Sequence, residues 1–205
     1  MGKSTKQIMK PSLIVLFLLL SSFQVIHAQI SDDEVIQSHC AHPVAQMNDY
    51  ISFMASRKKT IDNRRYYKAK ALNLFIGEGF SYEENDIKKD GVITRISSIN
   101  RKNTTNKLTR QYFDELINNC RLDVKIESTE IAKIKVSHLQ QIDDSTFVCT
   151  CQYDQAFVGY RDGRPIYKDI TTKHVKCLIN SIDTEDGTEY IIKLGDIYAL
   201  ATKRM

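Results

Sequence analysis

The segment FVCTCQYDQAFVGYRDGRPIYKDITTKHVKCLINSI, residues 147–182, is the strongest structural signal in this chain. Two runs rich in β-branched and aromatic residues flank the turn-forming tripeptide Arg161-Asp162-Gly163. In the first run, apolar side chains recur at every second position, which is typical of a strand with one buried face. The segment therefore predicts two long antiparallel strands joined by a tight turn.

Two turn lengths compete for this hairpin, and each sets a different register. With Asp162-Gly163 as a two-residue loop, Cys151 would face His174, which places a chargeable side chain against the apolar face. A three-residue loop with a left-handed glycine instead places Phe157 opposite Tyr167. The better hydrophobic match favours the three-residue loop.

The favoured register keeps the cysteines apart. It places Cys149 opposite Val175, so that Cys149 and Cys177 become diagonal neighbours about 7 to 8 Å apart, too far for an easy disulfide. The closest approach to a metal-ligand motif is His39-Cys40-Ala41-His42, which lacks zinc-ligand spacing. We expect no metal site and no cofactor. The thiols are expected to be buried as small apolar side chains, with at least one of the five unpaired.

Outside the hairpin, the period of the apolar pattern changes once. After Cys120 apolar residues alternate with polar ones over 122–136, and a last run covers 190–202. Upstream, apolar residues recur at helical spacing in three segments, which begin at Pro43, near Asp62 or Asn63, and near Thr104 or Thr105.

Two further segments lie between the predicted helices. Residues 92–99 predict a short strand, and the acidic segment 82–90 predicts a mobile loop. Together the elements predict an α+β domain in which three helices pack on a curved antiparallel sheet that ends in a four-strand meander.

The order of these elements over residues 43–202 resembles that of the NTF2-like, or cystatin-like cone, superfamily. The final run Ile191-Ile192-Lys193-Leu194-Gly195-Asp196-Ile197 contributes to the resemblance. It implies a pocket between the curved sheet and the helices. Because that fold hosts both enzymes and binding modules, the resemblance leaves the function open.

The N-terminal residues predict export. Lys3, Lys6 and Lys10 precede an apolar run from Leu13 to Leu20, and small residues up to Ala28 follow. This is the layout of a cleaved signal peptide over 1–28, too short in its apolar part for a membrane-spanning helix. We expect a flexible N-terminus over 29–42, one domain over 43–205, and a secreted, periplasmic or cell-envelope location.

The charge of the chain argues against nucleic acid as a partner. The net charge is +4, and since residues 1–28 carry three lysines and no acidic residue, the remainder carries 4 − 3 = +1. A sustained basic excess is therefore absent. A local basic run, Arg57-Lys58-Lys59 followed by Arg64, Arg65 and Lys68, could hold an anion or form a solvated face.

One polar set on the hairpin invites a functional interpretation. The favoured register sets Gln155 opposite Asp169 and places Tyr153 diagonal to Asp169, with Tyr167 on the same face, which the helices would cover. The resemblance implies that a pocket carboxylate beside phenols could act as a general base in an isomerase or cyclase. Asp169, with Tyr153 and Tyr167, is the candidate catalytic set, and all four residues are candidate ligand contacts. The alternative is a structural network of mutually satisfied polar groups.

Three functions therefore stand as hypotheses. The first is a non-catalytic module that binds a small apolar ligand or a protein partner. The second is a small enzyme that uses Asp169, and the third is a subunit of an envelope assembly, with self-association into a homo-oligomer as a further expectation.

Overall fold

The computed structural model describes residues 32–97, 103–118, 123–127 and 130–204. Its helices are α1 (Asp32–Ala55), α2 (Ile61–Leu72) and α3 (Thr109–Asn118). Its strands are β1 (Tyr82–Glu84), β2 (Ile87–Lys89), β3 (Ile93–Ile96), β4 (Thr105–Leu108), β5 (Asp123–Ile126), β6 (Lys135–Val136), β7 (Gln140–Gln141), β8 (Thr146–Arg161), β9 (Arg164–Thr184) and β10 (Gly187–Arg204). The predicted signal peptide lies outside the described residues. No helix within them is both long and apolar enough to cross a membrane.

The elements confirm the α+β class. Six strands lie side by side in the order β4-β3-β10-β9-β8-β5, and β6 and β7 also pair with β8. The hairpins that link β8, β9 and β10 are antiparallel, as their sequential connection requires. The expectation of a purely antiparallel sheet is wrong at one boundary, because β3 runs parallel to β10 with Thr94 opposite Ile197.

Helix α1 begins well before the predicted start at Pro43. The prediction of a flexible segment over 29–42 is wrong for residues 32–42, which are helical. Ile36 and Cys40 extend the buried stripe of the helix that continues through Val44 and Met47. Their burial offsets the backbone hydrogen bond that Pro43 cannot donate from the helix interior.

The segment 82–90 forms a hairpin and not a mobile loop. Strands β1 and β2 pair antiparallel, and the turn residues Asn85 and Asp86 have φ values of 51° and 61°. Positive φ at both central positions is the signature of the hairpin turns that match strand twist. The Lys176 ammonium donates to Glu84 Oε1 at 2.6 Å, which ties this hairpin to β9.

Two predicted helix starts need correction. Helix α2 is capped by Thr60, whose Oγ1 accepts a hydrogen bond from the Asn63 backbone at 3.3 Å, so neither Asp62 nor Asn63 is the cap. Helix α3 begins at Thr109, because Thr105 belongs to β4 and pairs with β3. Tertiary pairing thus overrides the capping preference of threonine in this segment.

The β8–β9 hairpin combines features of both candidate turns. Its loop is the two-residue Asp162-Gly163, with φ values of 51° and 76°, so the predicted left-handed Gly163 is confirmed and the three-residue loop is wrong. Between the pairs Gly159–Tyr167 and Tyr160–Pro165, residue Ile166 has no partner and forms a bulge. The bulge restores the side-chain parity that a plain two-residue loop would have reversed.

The bulge changes the predicted pairing of the cysteines. Beyond the bulge, each residue of β8 lies opposite a β9 residue two positions further along the chain than predicted. Because the displacement is an even number, every side chain stays on its predicted face but has a different partner. Cys149 lies directly opposite Cys177, and the predicted diagonal separation is wrong. Both residues are buried.

The core lies between the helices and the face of β8 and β9 from which the odd-numbered side chains project. Met47, Phe113 and Ile179 are fully buried members of a single cluster that joins α1, α3 and β9. Phe75 joins the same cluster and bridges Leu194 of β10. Side chains on this face are consequently shielded from solvent along most of both strands.

Candidate functional site

The four predicted site residues occupy the core-facing side of the hairpin. Tyr153 and Gln155 of β8 and Asp169 of β9 are buried, with exposed fractions of 2%, 0% and 5%, and Tyr167 is half-buried. The parity argument from sequence therefore placed them on the correct face.

Their mutual pairing differs from the prediction. Gln155 lies opposite Thr171, and Asp169 lies opposite Phe157, so the predicted Gln155–Asp169 pair is wrong. Instead, the Gln155 amide donates to Asn48 Oδ1 on α1. The Gln155 side chain thus links the sheet to the helix.

A buried lysine that the sequence analysis missed belongs to the same face. Lys173 lies opposite Tyr153, and its ammonium nitrogen is 5.4 Å from the centre of the Phe157 ring. Burial lowers the pKa of Lys173 to about 8, although Asp169 acts in the opposite direction. Burial also raises the pKa of Asp169, and Lys173 counteracts this rise. Lys173 and Asp169 both have odd residue numbers, so their side chains project from the same face of β9. This parity was the signal that could have identified Lys173.

Two buried polar atoms lack partners among the described residues: the Tyr153 hydroxyl and Gln155 Oε1. Burial raises the pKa of Tyr153 above its usual range, and that of the neighbouring Tyr112 on α3 likewise. Both phenols therefore stay protonated at neutral pH and can act only as hydrogen-bond donors or neutral acceptors.

The packing of this face argues against a general base at Asp169. A general base must reach the proton that it removes, and Asp169 is only 5% exposed. The Tyr167 ring lies directly over Gly159, where a Cβ atom would come within 2.0 Å of Tyr167 Cε1. These observations favour a functional surface outside this face.

An open cleft of about 600 Å³ lies between the end of α1, strand β5 and the β8–β9 turn. The Arg57 backbone N–H donates to Asp123 Oδ1 at 2.9 Å, and the Ser52 hydroxyl donates to the Ile126 carbonyl at 3.2 Å. These two bonds fix the helix end against β5. The cleft is lined by Ser52, Phe53, Ser56, Arg57, Lys58, Lys59, Asp123, Val124, Lys125, Tyr160, Arg161, Asp162 and Gly163.

The cleft carries an excess of positive charge. Five of its lining side chains are cationic and two are carboxylates. None of the five cations forms an ion pair with a described residue, although Lys59 lies over the Phe53 ring at 5.3 Å. Unpaired cations around a concave surface add their electrostatic fields, so together they attract an anion more strongly than one cation would.

Only part of the predicted basic run reaches this cleft. Arg64 is buried, and it donates to the carbonyls of Met54 at 2.7 Å and Leu116 at 2.8 Å, which joins α1, α2 and α3. Lys68 pairs with Asp114 at 2.5 Å. Residues Arg57 to Lys59 line the cleft, where they meet Lys125 and Arg161, a convergence that no local sequence pattern reveals.

Comparison with known proteins identifies no relative. No family model, no curated protein and no solved structure matches this chain.

Proposed function

We propose that this chain is an exported, non-catalytic binding module of NTF2-like build that holds an anionic ligand in the basic cleft. The observation that carries the proposal is the convergence of five cationic side chains, without ion-pair partners among the described residues, on one concave surface. A module needs only such a surface, whereas an enzyme also needs an accessible reactive group.

The lining of the cleft narrows the ligand class. A volume of about 600 Å³ falls in the range of small-molecule sites. Phe53, Val124 and Tyr160 add apolar and aromatic surface beside the cations. These features favour an organic anion with a flat apolar body, which would replace the purely apolar ligand expected from sequence.

Reversal of charge in the cleft tests this proposal. Naphthalene-2-sulfonate serves as the probe, and its uncharged analogue naphthalene-2-sulfonamide serves as the comparison, both measured by isothermal titration calorimetry. Lys58→Glu combined with Arg161→Glu should weaken sulfonate binding about tenfold, because the variant loses two exposed ion pairs of about 0.2 to 1 kcal/mol each and gains two carboxylates that repel the sulfonate. Added salt should weaken the wild-type affinity as well.

The matched control reverses two charges away from the cleft. Lys88→Glu combined with Lys89→Glu changes the net charge equally, but in β2. If this control weakens sulfonate binding as much as the cleft variant does, or if the sulfonamide binds as well as the sulfonate, the cleft is not an anion site.

The alternative functions receive less support. The isomerase or cyclase hypothesis depends on Asp169, whose carboxyl group lies in a packed face. The hypothesis of an envelope subunit depends on free sheet edges, which every open sheet has.

Export is the second part of the proposal, and it rests on the lysines and the apolar run of residues 1–28. N-terminal sequencing of protein from the native host should begin at Gln29 or within a few positions of it. Recovery of the intact Met1 terminus in a membrane fraction would show an uncleaved anchor instead.

A further inference from the structure

Four cysteines from three elements meet in the core. Cys149 and Cys151 project from the same face of β8, Cys177 lies opposite Cys149 on β9, and Cys40 comes from α1. Each of the four is at most 4% exposed. Residues that lie more than 100 positions apart along the chain therefore contribute to one cluster, which we call the thiol cluster.

Three of the four sulfur atoms of the thiol cluster are mutually adjacent. The Sγ atoms of Cys149, Cys151 and Cys177 all lie within 4.8 Å of one another, and those of Cys151 and Cys177 are 3.6 Å apart. The Cys151 thiol also lies 3.7 Å from the carbonyl oxygen of Cys40. Cys40 of α1 thus borders the group of three sulfurs through its backbone carbonyl.

This spacing is closer to a coordination site than to a disulfide. Four sulfurs at about 2.3 Å from a tetrahedral zinc ion lie about 3.8 Å from one another. A disulfide brings two sulfurs to about 2.05 Å and joins only those two. It would not account for a third sulfur at similar distance from both. One ion placed among the sulfurs would use all of them.

We propose that Cys40, Cys149, Cys151 and Cys177 form a structural binding site for one thiophilic metal ion of the Zn²⁺ type. Thiolates are soft ligands, and they select such ions over the hard cations that oxygen ligands bind. The ion would join α1 to β8 and β9 at the centre of the core. The sequence prediction of no metal site rested on the absence of zinc-ligand spacing along the chain.

Metal binding in this site exchanges protons without any oxidation. Each neutral thiol releases its proton to solvent as its sulfur forms a bond to the ion, so four metal–sulfur bonds release four protons. Uptake should consequently weaken as the pH falls.

The test combines metal analysis with a count of thiols on the full chain, purified without chelators and without a metal-affinity column. We expect one zinc per chain, thiols that are protected in the native state, and five reactive thiols once the protein is denatured in chelator. Five reactive thiols without bound metal would overturn the proposal in favour of apolar packing. A single reactive thiol without metal would overturn it in favour of two disulfides.

Variants locate the site. Cys177→Ser should lose most of the bound zinc, whereas Cys120→Ser removes the fifth thiol and should keep it. If Cys177→Ser fails to fold, the wild-type protein is titrated with a mercurial reagent while a chromogenic chelator reports released zinc. Release in proportion to the modification of four thiols is expected, and zinc that stays bound after all thiols have reacted would place the metal elsewhere.

Discussion

Deletion of Ile166 should leave the fold intact, whereas deletion of Ile170, four residues along the same strand, should abolish it. Ile166 is the unpaired residue of the β9 bulge and is exposed. Without it, Gly159 and Tyr167 remain opposite each other across a regular two-residue hairpin, so every side chain beyond the turn keeps its face. We expect the free energy of unfolding to change by less than about 1 kcal/mol, in line with other substitutions of exposed residues.

Deletion of Ile170 acts in the opposite way because it lies inside the paired part of β9, opposite Ala156. The loss of one residue there moves every side chain on one side of the deletion to the opposite face of the sheet. The affected part is either the half of the strand next to the turn or the half beyond the deletion. In the far half, Val175, Cys177 and Ile179 would leave the core for the outer face. Each buried side chain of this size contributes about 1.5 to 3 kcal/mol, so the three together contribute about 4.5 to 9 kcal/mol, which is comparable with the whole stability of an ordinary domain, about 5 to 15 kcal/mol. The polar side chains that would turn into the core add a further cost.

Circular dichroism with urea denaturation measures both deletions. A folded Ile170 deletion with native stability would contradict the parity argument, and so would an unfolded Ile166 deletion. The comparison controls for chain shortening, since both variants lose one isoleucine from the same strand.

In the β8–β9 hairpin, the sequence was sufficient to predict the strands and their buried face but not the register. Alternation gave the two strands and the buried face of Tyr153 and Asp169, because side-chain parity depends only on position along a strand. Register depends on the bulge at Ile166, and several placements of a bulge satisfy the same hydrophobic pattern. The exact partners, including the Cys149–Cys177 pair, therefore could not be derived.

The missed features share one physical cause, which is that they depend on tertiary contacts. The helical start at residue 32 needs a core to bury Ile36, and Pro43 alone signals a helix start. The basic cleft combines Arg57 to Lys59 with Arg161, which the chain brings together only after folding. Resemblance to the NTF2-like superfamily stays a proposal for the same reason, since order of elements does not determine their packing.

The buried Lys173 should make stability rise with pH in a range where most proteins lose it. Burial lowers its pKa to about 8 from 10.5, so between these values the unfolded chain carries a proton that the folded chain does not. Unfolding then takes up a proton, and the free energy of unfolding increases with pH through this range. Below pH 8 the folded protein retains the full cost of a buried ammonium group.

Lys173→Met isolates this contribution from the tyrosines and cysteines that titrate in the same range. The variant should be more stable than the wild type at pH 7, and the difference should shrink by about 2 kcal/mol by pH 10, as 1.36 kcal/mol per pKa unit implies. Lys168→Met is the control, because solvent reaches its side chain on the outer face of β9. It should show no comparable change with pH.

Asp169→Asn supplies the complementary variant. The Asp169 carboxylate raises the pKa of Lys173, so its removal should move the rise in stability to lower pH. Urea denaturation at pH 7, 8, 9 and 10 measures all four proteins. If the stability difference between Lys173→Met and the wild type is the same at each pH, the pKa of Lys173 does not differ between the folded and the unfolded chain, and burial does not desolvate its ammonium group. Such an outcome would also reopen this face as a ligand site, because Asp169, which acts on the same ammonium group, would then share its access to solvent.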